Sequence, residues 1–220
     1  MSPVADPTLD TEWAILRENA EWVIGCDEVG RGAIAGPVAV GVAAIGTATR
    51  DFPLGLRDSK MLSEKKRELL APLARSWTSF SAVGLASATE VDDVGIVAAL
   101  GLAGRRALVA LHEQGLSINR SVVLLDGAHD WLTPSLTRPP RVRLQVKADR
   151  DCASVAAASV IAKVHRDRIM IEADAHHPGY GWAGNKGYGS AGHFAAIAEL
   201  GATPLHRHTW LHSTATANEN

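Results

Sequence analysis

The chain has 220 residues, 46% of them hydrophobic, and a formal charge of −2 from 24 acidic and 22 basic residues. That length fits one domain with a short appendage, and the near balance of charge argues against a protein that coats nucleic acid by bulk electrostatics, while leaving local phosphate contacts open. The apolar runs are too short and interrupted to span a bilayer, the first eleven residues lack a basic-then-apolar signal pattern, and two cysteines, Cys26 and Cys152, form no framework; a reducing, cytoplasmic setting is expected.

Residues 1–19 read as a flexible extension. Residues 22–27 read as a first strand, apolar on both faces, and 33–45 as a second, with Gly36-Pro37 near its start, where proline is tolerated. The turn between them is short, so the two strands should be antiparallel neighbours. Asp58-Ser59-Lys60-Met61-Leu62 is a polar loop. Ser63 is a candidate cap for a helix running to Leu70, which Pro72 should end or kink. Residues 78–86 read as a third strand. Asp92 or Asp93 can cap a long helix over 94–114, stopped by Gly115. Residues 121–126 form a short apolar strand ending on Asp126. Residues 141–149 alternate, with Val142, Leu144, Val146 and Ala148 on one face, and so read as a fifth strand with Asp149 at its far end. A helix over 154–171 follows, with an unusually small stretch at Ala156-Ala157-Ala158-Ser159. Residues 213–220 read as a flexible tail. The order implies a mixed sheet with helices on its faces. The late histidines, including His193, His206 and His208, read as surface residues.

Asp27-Glu28, Asp126 and Asp149 are candidate acids at or near strand ends. Burying unpaired carboxylates is costly, and four gathered in one place would drive some to bind protons. Hard divalent cations relieve this, since Mg²⁺ and Mn²⁺ prefer oxygen ligands. Two such ions about 4 Å apart can activate a water and steady the leaving oxygen of a phosphodiester. Adjacent strand residues point to opposite faces, so Asp27 and Glu28 can both reach one cluster only if the strand ends or twists there. Plainer readings exist: Asp126 as a turn former before Gly127, Asp149 as a helix cap, and a salt bridge to Arg31 for the Asp27-Glu28 pair, which is harder to explain in this way.

The run Asp27-Glu28-Val29-Gly30-Arg31-Gly32 with Ala35-Gly36-Pro37-Val38 resembles the opening motif of the ribonuclease HII family. Asp58-Ser59-Lys60, Leu125-Asp126-Gly127, Lys147-Ala148-Asp149, the 154–164 segment with Arg166-Asp167, Asn185-Lys186-Gly187-Tyr188-Gly189 and Pro204-Leu205-His206-Arg207 continue the match in order. The resemblance implies an α/β, ribonuclease H-like fold: a mixed five-stranded sheet flanked by helices, with a helical C-terminal extension, the catalytic domain covering 20–212. It implies an endoribonuclease that hydrolyses RNA in RNA·DNA hybrids and cuts 5′ of single ribonucleotides in duplex DNA, leaving 3′-hydroxyl and 5′-phosphate ends, as needed for ribonucleotide removal and hybrid clearance. It places four metal-site acids on Asp27, Glu28, Asp126 and Asp149, holding two Mg²⁺ or Mn²⁺ ions. It places a loop whose main chain meets the 2′-hydroxyl on Gly30, Arg31 and Gly32, and a junction-sensing ring on Tyr188. Ser59, Lys60, Lys147, Ser159, Lys163 and Lys186 are further candidates for substrate contact. A monomer without organic cofactor or membrane attachment is expected. Another nuclease of the same fold, or a silent nucleic-acid-binding module, remains an alternative. Cys26 and Cys152 read as buried, inert thiols; the alternative, if the acids converge, is an approach close enough for oxidation to link them.

Overall fold

The computed structural model describes residues 6–215; residues 1–5 of the expected extension and 216–220 of the expected tail lie outside it. Five strands form one sheet in the order β3-β2-β1-β4-β5: β1 (Trp22–Val29), β2 (Val38–Gly46), β3 (Phe80–Ala86), β4 (Ser121–Asp126) and β5 (Arg141–Gln145). β1–β2 and β2–β3 pair antiparallel, β1–β4 and β4–β5 parallel. β1 and β2 form the expected antiparallel neighbours, and β4 occupies the expected span.

Strand alternation splits the core in two. One face carries Ile24, Cys26, Val40, Val42, Val123 and Leu125 against Leu100, Ala103, Ala107 and Leu111 of α4 (Ile96–Glu113). The other carries Val23, Ile45, Val122 and Leu124 against Ala153 and Val155 at the start of α6 (Ala153–His176), and Ala43 against Ala157, Ala158 and Ile161 further along it. Cys26 and Cys152 therefore fall in clusters on opposite faces of the sheet, and both are free and buried. This fits the reading of each as a buried thiol, and the alternative approach of the two is not found, because β1 aims Cys26 away from α6.

Several helices differ from expectation. α1 (Asp10–Arg17) stands where a loose extension was expected, because Ile15 and Leu16 bury against Val23 and Val155. α2 (Glu64–Trp77), capped by Ser63 as expected, does not end at Pro72 but continues to Trp77. Leu70, Ala71 and Ala74 on either side of that proline pack against α6 residues such as Val160 and Val164, and this burial outweighs the lost backbone hydrogen bond. The long helix expected over 94–114 is two: α3 (Ala88–Val94), then α4. Ser87, not Asp92 or Asp93, caps α3 through a reciprocal capping box with Glu90, and Gly95 at φ 78° breaks the run. β5 ends at Gln145, short of Asp149; Val146 just beyond it is 61% exposed, while Ala148 and Asp149 turn back and are buried.

The C-terminal part is helical, with α7 (Trp182–Asn185), α8 (Ala191–Leu200) and α9 (His208–Ala215); α9 takes in the first three residues of the expected tail. It closes on its own small core of Ala35, Met170, Tyr180, Trp182 and Ala196. His193 and His206 lie fully buried beside it, which corrects their assignment to the surface. Among the described residues no helix is long and apolar enough to cross a membrane.

Candidate metal centre and its surrounding loops

Asp27 lies two residues from the end of β1, and alternation with Cys26 turns it toward α6. Its side chain is buried. Oδ1 accepts the Glu28 amide at 2.8 Å, and Oδ2 is buried with no hydrogen-bond partner. β4 runs parallel beside β1 and delivers Asp126 to the same end of the sheet. Asp126 Oδ1 accepts the amides of Ala148 at 2.7 Å and Asp149 at 3.4 Å. That capping folds Ala148–Asp151 into a single turn, α5, entered through Lys147 at φ 62°. Asp149 thus sits in a helical turn after β5 and not on the strand. The turn brings it back: ligand oxygens of Asp27, Asp126 and Asp149 all lie within 4.8 Å of one another. β1 continues regularly through Val29, and Glu28 stays outside this tight group but close enough to feel the charge of Asp126, with Arg31 Nη1 3.6 Å from its Oε1.

The cluster carries uncompensated negative charge. Burial, then the neighbouring Glu28 charge, pushes the Asp27 pKa well above the usual carboxylate range. Burial, then Asp149, raises Asp126. Burial raises Glu28, with Arg31 acting the other way. Lys60, on the Ser59–Met61 turn, places its Nζ 3.0 Å from Asp149 Oδ2. Burial works against that ammonium, but the hydrogen bond to Asp149 and the charge of Asp27 outweigh it and raise its pKa. One ammonium does not balance three clustered acids. An all-oxygen donor set with an unpartnered buried oxygen fits a hard divalent cation, Mg²⁺ or Mn²⁺, better than a softer metal.

The Gly30-Arg31-Gly32 loop leaves β1 beside this cluster. Gly30 has φ 82°, and a Cβ there would fall 2.0 Å from Arg166 Nε. Two buried arginines hold the loop. Arg166 donates to the carbonyls of Pro37, Ala35 and Lys186 at 2.8–3.1 Å. Arg207 donates to those of Gly30 at 2.7 Å and Arg31 at 2.8 Å. The Gly187 carbonyl accepts the amides of Ile34 and Ala35, tying the Tyr188 loop to the same segment. Tyr188 is 37% exposed, and its ring centroid lies 5.4 Å from Arg166 Cζ and 5.8 Å from Lys163 Nζ.

The other candidates divide by environment. Ser159 is buried, donates to Ser59 Oγ at 2.9 Å, and its hydroxyl lowers the Asp27 pKa against the larger effect of burial. Lys163 is paired to Asp167 at 2.7 Å. Lys186 is buried, its Nζ donating to the Ala183 carbonyl and lying 3.4 Å from Glu64 Oε2. Lys147, Arg31 and Gly32 are exposed. Sequence reasoning did not assign Arg166 or Arg207 the role of holding this loop. A signal existed for the first: Arg166 follows Ser159 and Lys163 at helical spacing, on one face of α6.

A family model described as Ribonuclease HII matches residues 24–213. The Ribonuclease HII of Streptomyces avermitilis is 47% identical over 209 residues, covering 94% of this chain and 85% of that protein. That of Paracoccus denitrificans is 42% identical over 204 residues, covering 93% and 91%. Among solved structures, the ribonuclease H2 from Pyrococcus horikoshii is similar with a TM-score of 0.67 and 29% identity, covering 86% of this chain and 93% of its own.

Proposed function

This chain belongs to the ribonuclease HII family of metal-dependent endoribonucleases, and from that premise we propose that it cleaves the RNA of RNA·DNA hybrids and cuts 5′ of single ribonucleotides embedded in duplex DNA. The products carry 3′-hydroxyl and 5′-phosphate ends. The observation that supports this most is the triad of Asp27, Asp126 and Asp149, gathered within 4.8 Å with the buried Asp27 Oδ2 unpartnered. These three would hold two Mg²⁺ or Mn²⁺ ions, with Glu28 completing the set. When bound, such cations supply charge stabilisation and Lewis acidity for displacement at phosphorus.

The chain's own groups do the positioning. The carbonyls of Gly30 and Arg31 are committed to Arg207, which leaves the amides of Arg31 and Gly32 to meet the 2′-hydroxyl, the group that separates RNA from DNA. The Tyr188 ring, exposed beside that loop, packs on the sugar of the next nucleotide, where deoxyribose fits and an added hydroxyl crowds. Lys60 and Lys147 contact phosphate. Ser59 and Ser159 stiffen the floor beneath Asp27. Lys163 and Lys186, already paired, act on the substrate through the field they help set. A single catalytic unit over 20–212, acting as a monomer in the cytoplasm, belongs to the same reading; two free buried thiols suit a reducing compartment.

The test compares three labelled duplexes in Mg²⁺: all-DNA, DNA with one ribonucleotide, and a long hybrid. Cleavage of the last two alone is expected, and Tyr188→Ala should slow the single-ribonucleotide duplex more than the hybrid. Hybrid cleavage without single-ribonucleotide cleavage would point to another nuclease of this fold. Binding without turnover would point to a silent binding module.

A further inference from the structure

Behind Tyr188 lies a buried hydrogen-bond relay whose polarity is set by two N–H donors, the Thr203 amide and the Trp182 indole. The Thr203 amide donates to His206 Nδ1 at 2.9 Å, so that nitrogen is an acceptor and a neutral His206 carries its proton on Nε2. His206 Nε2 lies 3.1 Å from His193 Nε2. Trp182 Nε1–H donates to the same His193 nitrogen at 2.9 Å. His193 Nε2 therefore accepts, and a neutral His193 carries its proton on Nδ1. That proton is donated to the Tyr188 carbonyl at 2.9 Å. Both imidazoles are fully buried.

Burying two imidazoles is costly unless every nitrogen finds its partner, and apolar side chains would fill the same space more simply. Here the relay's single output is the backbone of the residue whose ring stands beside the Gly30–Gly32 loop. Its other end belongs to the same device: Arg207, next to His206, clamps the Gly30 and Arg31 carbonyls, and its amide donates to the Ile34 carbonyl at 2.8 Å. We propose that the His193–His206 pair is a positioning element that fixes the Tyr188 backbone relative to the Gly-Arg-Gly loop and so sets the preference for a ribonucleotide followed by a deoxyribonucleotide. The inference rests on the reading of Tyr188 given above. Burial lowers the pKa of His193, and burial with the His193 charge takes His206 down to about 4. Both shifts favour the uncharged imidazoles that the relay requires.

Two substitutions separate the relay's functions. His193→Gln offers an acceptor near the Nε2 position and no donor toward Tyr188. His193→Asn keeps a donor near the Nδ1 position. The quantity read is the ratio of kcat/KM on the single-ribonucleotide duplex to that on a long hybrid. One lost hydrogen bond corresponds to roughly a threefold to tenfold change, so His193→Gln should lower the ratio by that factor and His193→Asn should keep it within about twofold. In a Tyr188→Ala background His193→Gln should change nothing further, because the histidine acts through that ring. If Tyr188→Ala lowers the ratio but His193→Gln does not, the positioning role is wrong and the reading of Tyr188 stands. If His193→Asn lowers the ratio as much as His193→Gln, or the double variant is additive, the positioning role is also wrong. If Tyr188→Ala leaves the ratio unchanged, both fall. Should His193→Gln fail to fold, ¹⁵N shifts of the wild-type imidazoles decide: an Nδ1–H His193 that shifts when a one-ribonucleotide duplex binds in Ca²⁺ supports the role, and an Nε2–H tautomer or an unmoved signal overturns it.

Discussion

Glu12 is fully buried, yet only one of its carboxylate oxygens is partnered. Oε1 accepts both the amide and the hydroxyl of Ser154 at 2.8 Å, while Oε2 has no partner. The side chain thereby caps α6 from α1, a service that Cys152 at the cap position does not perform. Burial raises its pKa above the ordinary 4.5, the Ser154 bonds opposing. The native state then holds this proton more tightly than the unfolded chain does, so its contribution to stability falls as pH rises from 4.5 through the raised value. Glu12→Gln keeps an acceptor and removes the charge. Chemical denaturation at pH 4 and pH 8 should show the wild type losing stability relative to Glu12→Gln at the higher pH; a parallel pair of values would contradict the assignment. Glu12→Ala should cost about 1–3 kcal/mol, since it strands two buried donors. The importance of Glu12 was not legible in sequence, because its partner lies 142 residues away and nothing local marks it. Asp27 was legible, because an acid closing an apolar strand is locally anomalous whatever surrounds it.

Among the elements, α6 matters most to the site, since it carries Ser159, Lys163 and Arg166. It lies so close to the sheet that glycines are required beneath it. A Cβ on Gly25 would stand 2.3 Å from the Ser154 carbonyl carbon, and one on Gly41 2.3 Å from the Ala158 oxygen. Gly41→Ala must push the helix backbone away, at about 1–3 kcal/mol, and should lower the melting temperature and activity together. Retained stability with full turnover would show that the helix tolerates the shift. The small Ala156-Ala157-Ala158-Ser159 stretch made this close packing visible in sequence. The same reasoning failed at α2, where a proline that would stop an isolated helix sits on the exposed side of one held down by tertiary burial. Pro72→Ala should therefore stabilise the protein, by about 1–3 kcal/mol in chemical denaturation, by restoring a backbone hydrogen bond. It also failed at Asp149, because the turn that returns this acid to the cluster is built by Asp126, a contact between segments that periodicity does not register.

The whole molecule pairs a near-neutral charge with a concentrated acidic site, so nucleic-acid affinity must come from few contacts. Lys163 and Lys186 are engaged in ion pairs and Lys60 is held by Asp149; Lys147 is exposed. The logarithm of hybrid affinity, measured in Ca²⁺ to limit turnover, should fall with log salt at a slope of roughly −1 to −3. A much steeper slope would mean a broader basic surface than these residues provide. The presence of five strands, the pairing of β1 with β2 and the small-residue packing of α6 follow from patterns within single segments or across one short turn, whereas the strand order does not. The capping of α5, the two loop arginines and the histidine relay depend on segments meeting in space. The gathering of Asp27, Asp126 and Asp149 around divalent cations is tested most directly by titrating Mn²⁺ calorimetrically into metal-free protein, wild type and Asp27→Asn, with turnover of a long hybrid measured on the same samples. The expected result is Mn²⁺ binding and Mn²⁺-dependent cleavage by the wild type, and a folded Asp27→Asn protein that binds at least tenfold more weakly (roughly the loss of one charged ligand) and does not cleave. Equal Mn²⁺ affinity in both, or full turnover by Asp27→Asn, would contradict it.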